Sequence, residues 1–452
     1  MLEQAMADFD LIVRGGICMT PNGATQTDLG VRAGRLAAIG NLSGKAASIF
    51  EARGLHVLPG VIDTQVHFRE PGLEYKEDLE SGTRGAVLGG VTGVFEMPNT
   101  KPSTETVAQF QDKLNRAKGR TWCDYAFYMG GSADNADQLA TLELQQGCAG
   151  VKVFMGSSTG TLLVADDDTL DRVLRNGRRR MAVHCEDEPR LRERKKLTEM
   201  PGATVHLHPI WRDAQTALLA TQRLIGLARK NGRRVHVLHV TTAEEMDFLK
   251  DHRDIASVEV TPQHLTLAAP DCYDRLGTLA QMNPPIRDAA HREALWRAVR
   301  DGVVDVVGSD HAPHTLAEKA APYPNTPSGL TGVQTLLPLL LDHCNAGRLT
   351  LERLVDLTSA GAARIFGLAG KGRIALGYDA DFTIVDLKAR KTITNKWIAS
   401  KAAWTPYDGM TVTGWPAATI VRGHIVMRDD EALGTPQGAP LRFWETLAKE
   451  GN

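Results

Sequence analysis

The middle of the chain contains eight short, almost continuously apolar runs, and most of them precede a stretch that is compatible with a helix. Parallel strands covered by helices show this pattern. The clearest helical stretches are Thr104–Lys118, Arg212–Asn231 and Ala289–Arg300. The apolar runs are His56–Ile62, Gly90–Met97, Cys123–Met129, Gly150–Met155, Met181–His184, Arg234–Val240, Ser257–Thr261 and Asp305–Gly308. Eight such units predict an α/β fold, a (β/α)₈ TIM-like barrel.

Both flanks of this region have a different pattern, in which short alternating strands are separated by turn signals such as Asn22-Gly23. We therefore expect a barrel of residues 58–367 and one β-sandwich formed jointly by residues 1–57 and 368–452. Two unrelated appendages are the alternative. The strands predicted in the second flank are Gly372–Leu376, Ala380–Leu387, Thr411–Gly414 and Thr419–Met427.

Composition and charge exclude several classes of partner. The 452 residues are 42% apolar and carry a formal net charge of −2, without blocks of like charge, so neither nucleic acid nor a membrane surface is expected as a partner. No apolar run is long enough for a membrane helix, and Met1–Asp10 lacks the pattern of a secretory signal. The six cysteines form no close pairs, as expected of reduced thiols in a cytoplasmic protein.

Polar side chains concentrate where the predicted strands end, which in such a barrel is the active-site face. In the stretch Leu58–Gly72, strand alternation places Asp63, Gln65, His67 and Arg69 on one face. His67 could bind a metal, and Arg69 offers a planar fork for a carboxylate. A metal site on a strand would more naturally read His-x-His, and Gln65 occupies the first of those two positions.

Lys152 lies inside an apolar strand, where a lysine is costly unless it is paired. One interpretation is that its stem lies along apolar surface while the ammonium reaches water. The other is a carbamate that bridges two cations, because burial lowers a lysine pKa and the free amine reacts with CO₂. Histidines at neighbouring strand ends favour the carbamate.

His184 and His239 each end a predicted strand, and together they make a ligand set plausible. His236 would face the opposite side from His239, which is nearer the carboxyl end of the strand. The pair at positions 206 and 208 has ligand spacing but is predicted to fall in a loop beside Pro209, so we do not assign it to the site.

Asp310 follows the eighth strand, within Ser309-Asp-His-Ala-Pro-His314. It could cap a helix, or beside a metal it could ligate and accept a proton from water. Asn99 and His314 could add hydrogen bonds to a substrate, although asparagine is also common in turns. The proline-rich segment Ala321–Gly329 predicts a loop over the site.

Taken together, these motifs resemble the amidohydrolase superfamily, and within it the bacterial dihydroorotases of the longer, type I kind. The resemblance covers nearly the whole chain. It rests on Pro59-Gly-Val-Ile-Asp63, His67-Phe-Arg-Glu-Pro-Gly72, Met97-Pro-Asn-Thr100, Gly150-Val-Lys152, Asn283-Pro-Pro-Ile-Arg287, Asp310-His-Ala-Pro-His314 and Tyr407-Asp-Gly409. The second motif alone also fits allantoinases, whereas the combination favours dihydroorotases over hydantoinases.

The resemblance implies a binuclear zinc site. One Zn²⁺ would take His67, Asp310 and carboxylated Lys152, and the other would take His184, His239 and the same carbamate. Asp310 would also be catalytic. Arg69, Asn99 and His314 would hold the substrate carboxylate, and Asn283 would also contact the substrate. Gln65 stands where the family has a histidine ligand, and its amide oxygen is a weaker zinc donor, so one or two ions remain possible.

Three functions are compatible with these features. A dihydroorotase would reversibly cyclise N-carbamoyl-L-aspartate to L-dihydroorotate in pyrimidine biosynthesis, and the family resemblance implies a homodimer. A related cyclic amidohydrolase of the hydantoinase or allantoinase type would act on another ring. A non-catalytic scaffold, associated with aspartate transcarbamoylase, is motivated by Gln65 but would not need Lys152, His184, His239 or Asp310.

Overall fold

The structure is a computed structural model that describes residues 7–157 and 162–447. The amino-terminal part forms strands β1 (Phe9–Thr20), β2 (Gly23–Arg32), β3 (Arg35–Gly40), β4 (Ala46–Glu51) and β5 (His56–Pro59). The middle forms β6 (Val61–Val66), β7 (Val91–Glu96), β8 (Asp124–Gly130), β9 (Cys148–Phe154), β10 (Met181–His184), β11 (Val235–Val237), β12 (Ala256–Val260) and β13 (Val306–Val307). The carboxyl-terminal part adds β14 (Phe382–Thr392), β15 (Thr411–Val421), β16 (His424–Arg428) and β17 (Glu431–Ala432).

Helices alternate with the middle strands. They are α1 (Leu79–Leu88), α2 (Val107–Ala117), α3 (Leu139–Leu142), α4 (Asp167–Arg175), α5 (Glu188–Arg194), α6 (His208–Trp211), α7 (Ala214–Asn231), α8 (Ala243–Leu249), α9 (Pro262–Thr266), α10 (Asp271–Leu276), α11 (Ala289–Arg300), α12 (Leu316–Lys319), α13 (Leu336–Asn345), α14 (Leu351–Val355) and α15 (Gly361–Phe366). Among the described residues, no helix combines the length and the apolar character needed to cross a membrane.

Strands β6 to β13 form one parallel sheet whose strand order follows the chain. The sheet approaches closure, because Val66 bridges His311 and the His67 amide donates to the His311 carbonyl over 2.7 Å. Every residue of these strands is buried, which explains why the sequence shows continuous apolar runs rather than alternation. The predicted fold class, a (β/α)₈ barrel with a β-domain from both ends, is confirmed.

Within the described residues, the two ends of the chain share a second sheet with the order β17-β16-β15-β14-β5-β1-β2-β3, and β4 pairs with β1. The link is antiparallel pairing of β5 with β14, in which Val57 lies opposite Ile384. Apolar side chains from both ends, among them Leu11, Val31 and Ile420, form one core cluster. The described segment Gly372–Leu376, predicted as a strand, is not one, because Gly372 turns the chain with a φ of +83°.

The predicted first strand, His56–Ile62, is divided in the structure between two sheets. The chain passes from β5 of the terminal sheet to β6 of the barrel at Gly60. A side chain is excluded at this position, since a Cβ would lie 2.2 Å from Oγ1 of Thr92. The apolar run continues across the break because both sheets bury it.

Helix boundaries agree with local capping chemistry. The Asp213 side chain accepts from the Thr216 amide at the start of α7, and Gly232 ends that helix in a left-handed conformation. The helix predicted at Arg212–Asn231 therefore begins two residues later. The described segment Ala321–Gly329 contains neither helix nor strand, as expected.

Candidate active site

The candidate residues converge at the carboxyl ends of the barrel strands. Gln65 lies on β6, His184 ends β10, and His239 and Asp310 follow β11 and β13. Most of the predicted site residues line one small polar cavity. Its wall consists of Gln65, His67, Arg69, Asn99, Phe154, His184, His239, Asn283, Asp310, Ala312, Ser328 and Gly329. These residues lie together because the barrel strands end at one face. Lys152 and His314 are not part of the cavity wall, but Lys152 contacts the wall residue Phe154 and His314 contacts the wall residue Arg69.

His184 and His239 direct ring nitrogens towards each other. His184 Nδ1 lies 3.0 Å from His239 Nε2, and His184 Nε2 lies 2.8 Å from Oε2 of Glu186. Because a carboxylate only accepts, we assign the His184 proton to Nε2, which leaves a lone pair on Nδ1. Burial lowers the pKa of both imidazoles, that of His239 well below its usual value. Two neutral imidazoles therefore converge on one point.

Glu186 fixes this tautomer and is itself held as an anion. Burial alone would raise its pKa, but the adjacent Arg212 guanidinium and His184 outweigh burial and lower the pKa below its ordinary value. Arg212 Nη2 donates to Glu186 Oε2 over 2.6 Å. A carboxylate that orients a histidine in this way is a common support for metal-ligating imidazoles.

On the other side of the cavity, Asp310 is held by two neighbours. Its Oδ1 accepts from Gln65 Nε2 at 2.9 Å and lies 3.2 Å from His67 Nε2. His67 Nδ1 lies 2.8 Å from Asn99 Oδ1, so we assign the proton to Nδ1. A lone pair of Nε2 then faces the carboxylate, an arrangement that a proton or a cation between the two atoms would stabilise.

Gln65 is the third member of this group, but its amide does not supply the nitrogen lone pair that an imidazole would offer. Its Nε2 is committed to Asp310, and its Oε1 is buried with no hydrogen-bond partner among the described residues. A buried acceptor without a partner costs free energy, about 1–3 kcal/mol. The Oε1 atom is therefore a candidate donor to a bound cation, although a weak one compared with a histidine nitrogen.

Lys152 is fully buried in β9. Its Nζ donates to the Val153 carbonyl over 3.1 Å and lies 3.7 Å from the centroid of the Phe154 ring. Burial lowers the pKa of Lys152 to about 7. Of the two interpretations of this lysine, an ammonium that reaches water is wrong, because its side chain is enclosed by the barrel. A substantial fraction of neutral amine at neutral pH follows from this pKa.

Three of the predicted site residues adopt left-handed backbone conformations. The φ angles are +64° for Arg69, +37° for His239 and +45° for Asp310. Such conformations are unfavourable for residues other than glycine, and they concentrate at functional sites where the surroundings enforce them. These backbone conformations lower local stability, but they orient the three side chains towards the cavity.

Arg69 supplies the positive charge of the cavity. Its side chain is buried, Nε donates to the Pro313 carbonyl over 3.1 Å, and Nη2 lies 3.3 Å from Nε2 of His314. The Nη1 atom is buried and has no partner among the described residues. A guanidinium in this state is suited to bind an anionic group of a ligand.

Sequence reasoning missed two supporting residues near the cavity. Glu186 follows His184 by two positions, and this spacing was the available signal for its role. His208 is buried and its Nε2 lies 2.9 Å from Oδ1 of Asn283, so this histidine supports a site residue, whereas His206 contacts the exposed Asp274. The prediction of a loop there is wrong, because Val205–Leu207 and α6 form short helical turns.

A metal site built only from the usual acidic, histidine and cysteine ligands is not complete here. Within residues 7–157 and 162–447, no group of three or more His, Cys, Asp or Glu side chains could hold a metal ion. One side of the cavity offers two imidazoles, and the other offers an imidazole and a carboxylate. A cation bound on either side would need a ligand of another type, and Lys152 and Gln65 are the adjacent candidates.

Comparisons with known proteins extend over nearly the whole chain. A family model described as the amidohydrolase family matches residues 56–426. A dihydroorotase of Halobacterium salinarum is 39% identical over 382 residues, 83% of this chain and 87% of that protein. An allantoinase of Deinococcus radiodurans is 33% identical over 447 residues, 96% of this chain and 98% of that protein. The structure of an L-hydantoinase (dihydropyrimidinase) from Arthrobacter aurescens has a TM-score of 0.91 at 29% identity and covers 96% of this chain and 100% of that chain.

Proposed function

The chain belongs to the amidohydrolase family, and on this premise we propose that it is a dihydroorotase that interconverts N-carbamoyl-L-aspartate and L-dihydroorotate. The observation that carries the proposal is the combination, in one cavity, of two converging imidazoles, the Asp310 carboxylate and the buried Arg69 guanidinium. The imidazoles and the Asp310 carboxylate can serve hydrolysis of a cyclic amide, and the guanidinium can hold a substrate carboxylate. The archaeal dihydroorotase relative leaves the bacterial, type I subtype as a proposal.

The donor set on the His184–His239 side fits a divalent cation. Both imidazoles are neutral, and Glu186 fixes the tautomer of His184. Lys152, as a carbamate, would be the third ligand. A zinc ion held there would act as a Lewis acid and lower the pKa of water.

The His67–Asp310 side fits a second cation less well. Gln65 replaces an imidazole by a neutral amide, and its amide nitrogen already donates to Asp310. Only His67 and Asp310 remain as strong donors on this side. We propose that one ion is bound firmly, on the His184–His239 side, and that occupancy of the other side is low.

The residues of the chain have separate tasks in the hydrolytic direction. Water adds to the ring amide carbonyl while Asp310 accepts a proton from it, and Asp310 then returns this proton to the leaving nitrogen as the C–N bond breaks. Arg69, Asn99 and Asn283, which line the cavity, bind and orient the substrate, and His314 assists from its place beside Arg69. Orientation matters because a misplacement of about 1 Å can cost roughly 10²-fold in rate.

A cyclic amidohydrolase of the allantoinase type is the second candidate, and the high coverage of the allantoinase relative favours it. Both candidates use the same hydrolytic groups and differ in the ring that the cavity accepts. Arg69 favours a substrate with a carboxylate, which dihydroorotate has and dihydrouracil lacks.

Side-by-side rates on dihydroorotate, allantoin and dihydrouracil, together with the metal content of the purified protein, test the proposal. We expect the highest kcat/KM on dihydroorotate. A higher value on allantoin would favour the second candidate. No bound metal and no turnover after addition of zinc or cobalt would instead favour a scaffold.

The proposal for the assembly of this protein rests only on its resemblance to the family. We propose a homodimer and an association with aspartate transcarbamoylase in the cytoplasm. Sedimentation of the purified chain, alone and mixed with that enzyme, tests both, and a single monomeric species in both samples would reject them.

A further inference from the structure

A line of polar contacts connects the substrate-binding side of the cavity with Lys76, a residue that the proposed function leaves without a role. Lys76 is 7% exposed, and its Nζ lies 3.0 Å from Nδ1 of His314 and 2.7 Å from Oε1 of Glu318. The other ring nitrogen of His314, Nε2, lies 3.1 Å from the Ser328 carbonyl and 3.3 Å from Nη2 of Arg69.

These contacts select one tautomer of His314. A lysine ammonium only donates, so Nδ1 must accept, and the proton of the neutral ring then lies on Nε2. A proton on Nε2 also suits the Ser328 carbonyl, which only accepts. The opposite tautomer would place two donors together at Nδ1 and two acceptors together at Nε2. A doubly protonated ring would meet Arg69 and Lys76, and both cations disfavour it.

The selected tautomer of His314 determines which N–H donors of Arg69 can bind a ligand. With its proton on Nε2, His314 cannot accept from Arg69 Nη2, although the two atoms are only 3.3 Å apart. The neighbouring Nη1 has no partner among the described residues. The outer edge of the guanidinium therefore keeps its donors for a ligand. In the opposite tautomer, Nε2 would accept from Nη2 and occupy part of this fork.

Lys76 is held in place from the other direction. Glu318 accepts from Lys76 and from the Tyr75 hydroxyl through Oε1, and through Oε2 it accepts from the Thr315 amide in the capping box of α12. Burial lowers the pKa of Lys76, and the Glu318 carboxylate opposes this shift while it holds the ammonium beside His314. Because Glu318 is anchored at a helix start, the geometry does not depend on a flexible surface pair.

We propose that Lys76 is a positioning residue that locks His314 in the Nε2–H tautomer and thereby keeps the Arg69 fork open for a substrate carboxylate. This inference rests on the proposed function for the identity of the substrate. The tautomer itself is a property of the protein without substrate.

Kinetics of Lys76→Met test the consequence for binding. We expect KM for L-dihydroorotate to rise by about tenfold or more, as for loss of a hydrogen bond to a charged group, while kcat changes by less than about twofold. Lys76→Arg, which also only donates at this position, should recover part of the loss. Lys101→Met is the matched control, because Lys101 is exposed and its charge lies close enough to influence Lys76. An equal rise in KM in the control would overturn the proposal, since charge alone would then explain it.

Nitrogen-15 NMR of His314 tests the tautomer directly and needs no turnover. In the wild-type chain, Nε2 should carry the proton, and in Lys76→Met the signals should move towards the Nδ1–H form. A wild-type ring protonated at Nδ1, or signals that are the same in both proteins, would overturn the positioning role. If the wild type does not turn over dihydroorotate, the proposed function fails, while the NMR result still decides the role of Lys76.

Discussion

At the scale of single residues, Gln65 distinguishes this cavity from the histidine-rich site that its family implies. Its amide holds Asp310 by a hydrogen bond rather than adding an imidazole to a metal site. The carboxylate is therefore positioned even when no cation lies on that side.

Substitution Gln65→His should raise the metal content from about one ion per chain to about two, because an imidazole is a stronger donor than an amide oxygen. Elemental analysis of protein purified with excess zinc measures this. Gln65→Leu, which removes the amide without adding a ligand, is the matched control and should not gain an ion. Two ions in the wild type would contradict the expectation.

Substitution Asp310→Asn should lower kcat by roughly 10²–10⁴-fold, because an amide cannot carry the proton from water to the leaving nitrogen. Steady-state kinetics on dihydroorotate measure the loss, and a thermal melt checks that the fold is kept. Asp301→Asn, at an exposed position, should leave kcat unchanged. Wild-type turnover in Asp310→Asn would remove this residue from the mechanism.

The sequence allowed prediction of the residues at strand ends, because parallel strands bring their carboxyl ends to one face. His184, His239 and Asp310 follow this rule. The roles of Glu186 and Lys76 could not be predicted in the same way, since they depend on which ring nitrogen of a neighbouring histidine carries a proton. That depends on contacts between segments distant in sequence, such as Lys76 with His314.

At the scale of elements, the segment Ala321–Gly329 is fastened to the barrel by a buried lysine. Lys319, at the end of α12, donates from Nζ to the Gln281 carbonyl over 3.1 Å and to the Pro327 carbonyl over 3.0 Å. Gly329 allows the segment to approach the cavity, because a Cβ there would lie 2.3 Å from the Ala312 carbonyl oxygen. Ser328 and Gly329, at the end of the segment, thus form part of the cavity wall.

Substitution Lys319→Met should release this segment and lower the free energy of unfolding by about 1–3 kcal/mol, because two carbonyls lose their donor. Hydrogen exchange should become faster across residues 321–329. Lys118→Met, at an exposed helix end, serves as the control and should change neither quantity. Unchanged exchange in Lys319→Met would show that other contacts hold the segment.

Periodicity predicted the barrel strands well, since each is buried on both faces. It could not locate the break at Gly60, because both strands on either side are equally apolar. The four-residue helix α12 was also beyond prediction, since so short an element depends on its capping residues and on tertiary contacts.

At the scale of the whole molecule, one buried lysine connects the barrel with the terminal sheet. Lys371 Nζ lies 2.6 Å from Asp124 of β8 and 3.2 Å from Asp379, and it also contacts Asp381, next to β14. All three carboxylates are buried, so the pairing with Lys371 offsets a large desolvation cost.

Substitution Lys371→Met should lower the free energy of unfolding by about 3 kcal/mol or more, because buried carboxylates lose a partner. Arg422 and Arg442 contact two of the same carboxylates and limit the loss. Denaturant unfolding measures it. Arg229→Met breaks the exposed pair with Asp254 and should cost at most about 1 kcal/mol. Equal losses in the two variants would contradict a special role for Lys371.

The division of the chain into barrel and terminal strands could be predicted, because the two regions differ in hydrophobic pattern. The register that joins the ends could not, since nothing in a local pattern says that Val57 lies opposite Ile384. That pairing is fixed by the shared core of the two ends.

The pairing of β5 with β14 has a consequence for biosynthesis. On the ribosome, the first five strands emerge long before Phe382–Thr392. The edge of β5 that later pairs with β14 is therefore unpaired until β14 has been synthesised. Exposed strand edges invite pairing with other chains. A transcript that ends before β14 would therefore yield a nascent product with a persistently open edge, prone to aggregate and to be degraded even though every barrel strand had been translated.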